Sequence, residues 1–423
     1  MKPDKDARDK GEERLSIRQN ILWNSAGSII NLGCQWLMSI VVVRLSSGYD
    51  AAGVFALASS VYGIFSTFGQ YRMKTYQVSD VEHENSTGEY LSFRFLTCGV
   101  ALVLVTVYSM ITCAHDAWLA IVLYCVWKTL SLLIEVLHAC DQLHFRMDYI
   151  GQSLALQGVS SLAVFSILFF ATQSLELTFL GMIVCTSLIG LLLDYPRTRR
   201  FDTLALGISA EKTRYLIKHC APIVVAGLAI SAAPQLPRQV LAAFEGSSSL
   251  GVYASIASPI AIIQMGSSYI YGPLLTTYSE LYFNKRGSEF RALLKKTTIA
   301  IATVGVACVL AISVMGEPLL VLLYGESIRS YTYLMVPMVL FAVLTGYTWF
   351  MSDLLTSIRS FRGTTVGGFV SLAVSLICMF PLIWAFDMNG VTYTGLLSCL
   401  GGLAAMGITL QTEMNLKFSE TRK

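Results

Sequence analysis

Long apolar runs, broken by short polar or charged connections, repeat along the whole chain. At 1.5 Å of rise per residue, about 20 apolar residues in a helix match the hydrocarbon thickness of a bilayer. On that measure the runs predict twelve transmembrane helices, over 20–46, 51–78, 91–113, 117–140, 149–172, 176–194, 217–244, 250–280, 293–315, 331–358, 363–386 and 390–413. The connections are too short to hold a separate soluble domain. The longest outer one, 316–330, has room for a short interfacial helix, and the main inner one, 195–216, for a link between two bundles.

A weak internal repeat organises these spans. Gly53-Val54-Phe55-Ala56 recurs as Gly251-Val252-Tyr253-Ala254, and Ala58-Ser59 as Ala257-Ser258; the two glycines are 198 positions apart, close to half of 423 residues. Each half then holds six spans. An even number gives both halves the same orientation, so the repeat is parallel, about an axis along the membrane normal. The expected architecture is an all-α membrane protein with twelve transmembrane helices in two parallel six-helix lobes around a central cavity. Its parts are a cytoplasmic tail 1–19, a first lobe 20–205, a second lobe 206–416 and a tail 417–423.

Composition removes the soluble alternative. Charged residues are 13% and hydrophobic ones 54%, with mean hydropathy +0.61, against about 25% charged in an ordinary soluble domain. The placement of charge sets the orientation. With both termini inside, 26 of 30 Arg and Lys lie in inner segments, two (Arg44 and Arg329) lie outside, and Lys128 and Arg238 remain within spans. The N-terminal stretch is too charged and too long for a signal peptide, so the first run reads as a span behind a disordered tail. Ten cysteines include no CxxC pair and no metal-site spacing; they read as free thiols packed as small hydrophobes.

Ionisable residues inside the membrane are costly and point to function. Lys128, near the middle of the fourth span in YCVWKTLSLLIEVL, carries a cost of roughly 3 kcal/mol at that depth. It should face a water-filled cavity, with Ser131, Glu135 and His138 following at helical spacing. Glu135 is about 10 Å further along the helix, too far for direct contact, so Lys128 either binds an anion or pairs with another helix. Arg238 follows Pro234 and Pro237 in the seventh span. The prolines weaken the helix and free carbonyls, as in the broken helices that line transport sites. Arg238 then either snorkels outward or offers a bidentate fork for phosphate oxygens.

Other candidates are less pointed. Asn24, Asn31 and Gln35 share one face of the first span. Arg72 and Lys74 end the second span, either to meet an anionic headgroup or only to obey the inside-positive rule. Glu135 and Asp353 are candidates to carry a coupling proton or cation. Tyr269, Tyr271, Tyr278 and Tyr282 read as sugar-stacking rings or as an aromatic belt. His138 with Asp141, and His144 with Asp148, look like fragments of acyl-transfer motifs but read as interfacial polar residues. No catalytic triad, HExxH or glycine-rich phosphate loop is present.

The stretches NILWNSAGSIINLGCQWLMSIVVVRL with AAGVFALAS, LPRQVLAAFEGSSSLGVYASIASP, and LLVLLYGESIRSY resemble the polysaccharide/O-antigen flippase family of the multidrug/oligosaccharidyl-lipid/polysaccharide exporter superfamily. The resemblance spans nearly the whole chain through diffuse motifs. It implies a twelve-span fold in the bacterial cytoplasmic membrane, flipping undecaprenyl-pyrophosphate-linked sugar repeat units from the inner to the outer leaflet. It also implies a cationic cavity supplied by Lys128 and Arg238; beside it, the residue pattern itself offers Asn31, Gln35 and Arg72 as further candidate substrate contacts. The lipid-linked oligosaccharide and membrane lipid are the expected partners, with a polysaccharide polymerase and glycosyltransferases as prospective ones. No cofactor, catalytic residue, metal or nucleic-acid partner is expected. A cation-coupled multidrug or small-molecule antiporter of the same superfamily is the competing reading; cationic drugs would call for buried acids, whereas the sequence offers buried cations. A membrane-embedded polymerase or acyltransferase would need a long outer loop or catalytic histidines.

Overall fold

The structure, a computed structural model, describes residues 15–80 and 84–419; most of the two charged tails and His83 lie outside them. The described residues are helical, joined by short turns, and form no strands. Helix α1 is Ile17–Leu45, α2 Asp50–Gln70, α3 Met73–Ser79, α4 Thr87–Thr112, α5 Trp118–Leu143, α6 Met147–Thr172 and α7 Leu175–Ile189, continued by one π-helical turn, Gly190–Asp194, into α8, Tyr195–Thr198. Then come α9 Ala210–Tyr271, α10 Leu275–Phe283, α11 Gly287–Tyr324, α12 Met335–Ser357, α13 Phe361–Phe386 and α14 Met388–Ser419.

Among the described residues, eleven helical stretches are long and apolar enough to cross a membrane. One of them, α9, contains Gly246 at φ 86° and ψ 172°, a conformation that a side chain would strain. It divides α9 into two membrane-length segments and so yields the twelve predicted crossings. Two boundaries differ from the hydropathy pattern. Helix α2 stops at Gln70 rather than running to 78, because Tyr71 and Arg72 adopt left-handed backbone (φ 43° and 58°) before α3 begins. Helix α11 continues through 316–324, which read as a loop, and the chain then forms a 3₁₀ helix, Glu326–Leu334.

The chain forms two compact units: residues through Leu45 with Phe65–Val224, and Ser46–Ile64 with Val225 onward. In the first unit α1 lies along α6, α4 along α5, and α7 against both α5 and α6. Helix α4 starts on a capping box. Ser86 Oγ accepts from the Glu89 N–H at 3.2 Å, and the Ser86 N–H donates to Glu89 at 3.0 Å. In the second unit α14 packs along α13 and α12, over a core of Tyr278, Phe290, Phe350, Leu354 and Leu355. Outward-facing apolar side chains are abundant; Val314 is 79% exposed and Trp384 83%, as lipid-facing positions require.

The repeated glycines meet within this second unit. A Cβ on Gly53 would overlap the carbonyl oxygen of Ser247, and one on Gly251 would overlap that of Tyr49. Both pairs of equivalent positions, 49 with 247 and 53 with 251, are separated by the same 198 residues. The crossing is therefore reciprocal, as across a twofold axis, and its backbone-to-backbone approach admits no larger residue at either point.

Candidate functional site

Lys128 lies in mid-helix on α5, half-buried, and joins a polar chain that ends on α6. Its Nζ donates to Gln35 Oε1 at 2.6 Å, Gln35 Nε2 donates to Asn31 Oδ1, and Asn31 Nδ2 donates to the Leu154 carbonyl at 2.9 Å. Gln35 and Asn31 are one helical turn apart on α1, so one helix face presents both amides. Each amide is oriented with its oxygen toward the ammonium. The charge also sits 4.3 Å from the Trp127 ring centre and 5.7 Å from that of Tyr124. Trp127 is fixed in turn, its indole N–H donating to Thr186 Oγ1 at 3.0 Å. Among the described residues no carboxylate forms an ion pair with Lys128, so its charge is held by dipoles and rings rather than cancelled. An ammonium has three donors, and the Gln35 oxygen takes one.

Glu135, two turns further along α5, is held elsewhere. Arg94 Nη2 approaches it at 3.4 Å and Lys74 Nζ at 3.3 Å. Arg94 has no exposed surface, and its Nη1 donates to the carbonyls of Gly69 (3.0 Å) and Gln70 (2.7 Å), at the end of α2. Thr97 Oγ1 also donates to the Gly69 carbonyl at 3.0 Å. Thus Arg94 binds the carbonyls that the break at Tyr71–Arg72 strips of helical partners, and Glu135 balances its charge. The positive-inside count had placed Arg94 among inner-loop residues. Its position four residues into the third apolar run was the available signal that it is a buried membrane charge. Arg72 is exposed, immediately before α3.

Arg238 belongs to the second unit, half-buried, and among the described residues forms no ion pair; it lies within electrostatic range of the buried Tyr253 hydroxyl, which accepts from Thr392 Oγ1 at 3.3 Å. Pro234 and Pro237 do not break α9, contrary to the sequence expectation; the non-helical residue is Gly246. Pro237 has no N–H for the Ala233 carbonyl, and Ser375 Oγ of α13 supplies the missing donor at 2.7 Å. Asp353 is exposed on α12 and accepts from the Tyr271 hydroxyl at 2.8 Å. Tyr271, Tyr278 and Tyr282 are packed in the aromatic core with Phe290 and Phe350, which removes them from both roles the sequence suggested.

His138 and Asp141 are buried inside the protein. They are 5% and 0% exposed and lie against Asp194, itself without exposed surface, and Thr198. Asp194 is 56 residues from His138, so no local pattern announced the pair. All ten cysteines are free thiols, buried or half-buried.

This arrangement of helices defines a class. Across 94% of the chain it superposes, with a TM-score of 0.73 and 9% identity, on 90% of the lipid II flippase MurJ in an inward closed conformation. Across 94% it matches 99% of an inward-facing multidrug resistance MATE family transporter of the MOP superfamily, with a TM-score of 0.67 and 12% identity. The chain therefore has the fold shared by these two membrane proteins. By sequence it belongs to the polysaccharide biosynthesis protein family, whose profile matches residues 17–279. It is 21% identical over 371 residues, 86% of this chain and 90% of the other, to the capsular polysaccharide biosynthesis protein CapF of Staphylococcus aureus.

Proposed function

We propose that this protein flips undecaprenyl-pyrophosphate-linked oligosaccharide repeat units from the inner to the outer leaflet of the bacterial cytoplasmic membrane, with both termini cytoplasmic, for surface polysaccharide biosynthesis. Family membership supports the pathway, and the MurJ-like fold supports passage of a lipid-linked sugar. The observation that carries the anionic part of the reading is Lys128. It is a lysine in mid-span that donates to Gln35, itself held by Asn31, and among the described residues no carboxylate compensates its charge. Sugar and diphosphate cannot enter hydrocarbon unaided. A cavity that offers cations to the diphosphate and amides to hydroxyls, while the polyprenyl tail stays in lipid, removes that barrier. Alternating access between two lobes, Arg238 as a second cation and Arg72 as an entry contact complete the proposal. A polymerase and glycosyltransferases would act on the same lipid-linked intermediate before and after it.

The cation-coupled antiporter reading draws on the MATE-like fold. Its requirement for acids facing a cationic drug is poorly met by Glu135, which two basic side chains already engage.

Lys128→Ala and Arg238→Ala are each expected to reduce surface glycan at least about tenfold in a strain dependent on this protein, equivalent to roughly 1.4 kcal/mol of lost stabilisation. Membrane levels of the protein should stay at wild type. Normal glycan in both variants would remove the anionic-cargo assignment.

A further inference from the structure

A third polar network of the first unit shares no residue with those around Lys128 and Arg94. His138 Nε2 lies 3.4 Å from Asp194 Oδ1, and Ser153 Oγ donates to Asp194 Oδ2 at 2.8 Å while accepting from Gln157 Nε2 at 3.0 Å. One turn beyond His138, Asp141 Oδ1 accepts from Thr198 Oγ1 at 3.1 Å. The other oxygen of Asp141, Oδ2, is buried with no hydrogen-bond partner among the described residues, although its carboxyl is within electrostatic range of His138, Asp194 and Arg197. Asp194 ends the π-helical turn Gly190–Asp194; such turns recur at functional sites.

Two carboxylates and one imidazole, all essentially without exposed surface, cannot be left charged at will. An uncompensated buried ion costs several kcal/mol. Nearby, Asp148 on α6 is held bidentately by Arg146, and Asp202 accepts the Thr87 N–H at 2.7 Å. Arg197 of α8 donates to Gln152 at 2.9 Å and lies over the Tyr149 ring, while its Nη1 is buried with no hydrogen-bond partner among the described residues. From α6 the cluster receives only the neutral Ser153 and Gln157, and from α5 additionally the thiol of Cys140. Among the described residues no group of three His, Cys, Asp or Glu side chains is arranged to hold a metal ion.

We propose that His138, Asp141 and Asp194 share one exchangeable proton and form a proton-binding site joining the C-terminal ends of α5 and α7. The proton leaves a water molecule or hydronium and forms an O–H bond at Asp141 Oδ2 or an N–H bond at His138; the reverse transfer returns it to water. With His138 protonated, its contact to Asp194 becomes an ion pair that fastens α5 to the end of α7. With the proton lost, that attraction weakens and the π-turn is released. Coupling of this change to lipid flipping rests on the function proposed above; the proton site itself does not.

The full-length protein in lipid nanodiscs, titrated while its infrared difference spectrum is recorded, tests the site without any cargo. A protonated-carboxyl C=O band is expected to change with pH. It should vanish in Asp141→Asn, and its midpoint should move by about one pH unit in His138→Gln, a change on the scale of typical environmental shifts. Thr198→Val, which removes only the hydroxyl from Asp141, should also move the midpoint and serves if Asp141→Asn does not fold. A titration identical in wild type, Asp141→Asn and Thr198→Val overturns the proposal, as does a band that responds to sodium at fixed pH but not to pH. Normal surface glycan in Lys128→Ala would count against the flipping reading alone and leave the infrared result standing.

Discussion

Among the described residues Arg94 is the largest side chain with no exposed surface, and its partners follow from that burial. A guanidinium moved out of water must find partners for its charge and its donors. It finds Glu135 for the first, and the Gly69 and Gln70 carbonyls for the second. The reverse also holds: those carbonyls lose their helical donors where α2 breaks, and in a lipid environment they need replacements. Arg94→Ala leaves the Gln70 carbonyl without its donor, Glu135 with Lys74 alone and the Gly69 carbonyl with Thr97, and should destabilise the protein by about 3 kcal/mol, the lower end of the range for breaking a buried pair by removing one partner. Arg94→Lys keeps a charge but gives up the planar fork and should fall between. Thermal unfolding in detergent, followed by size exclusion, distinguishes the three. Lys128 is the contrasting case. Its charge is oriented but not cancelled, which suits a site for a visiting anion rather than a structural clamp.

Among elements, α9 shows how a membrane helix absorbs proline. The Ala233 carbonyl that Pro237 leaves free is taken by Ser375 from α13, and the helix continues. Ser375→Ala should cost about 1 kcal/mol. In a Pro237→Ala background, where the backbone N–H returns, the same change should cost roughly 0.5–1 kcal/mol less; equal losses in both backgrounds would show the bond to be incidental. Elements of this kind divide into those a sequence reveals and those it hides. Twelve crossings were legible because lipid demands unbroken apolar runs. The Asn31–Gln35 face and Lys128 were legible because charge and amides in such runs are conspicuous. The break at Tyr71–Arg72 was not, since QYRMK contains neither glycine nor proline and the conformation is supported by Arg94 from another helix. The prolines of α9 suggested a break that a serine 138 residues away from Pro237 prevents. Asp194 joins His138 only after α5 and α7 have packed.

Over the whole molecule, the reciprocal crossing at Gly53 and Gly251 has a consequence for how covalent the chain needs to be. One partner in that crossing, Tyr49 to Gly53, precedes the midpoint of the sequence, and the other, Ser247 to Gly251, follows it. In the first unit, contacts also pass from one side of residue 205 to the other: the Gly207 N–H donates to Ser92 Oγ at 2.7 Å, and Lys212 Nζ meets Glu89 at 2.8 Å. Each half of the polypeptide is thus stitched to the other at two separate places, neither of which needs the peptide bond between residues 205 and 206. Translated as two pieces, 1–205 and 206–423, with a tag on only one, the halves should assemble in the membrane and co-purify. Bulky replacement of Gly53 or Gly251 in the split form should separate them, because the linker that masks a weakened seam in the single chain would no longer be there to hold it shut.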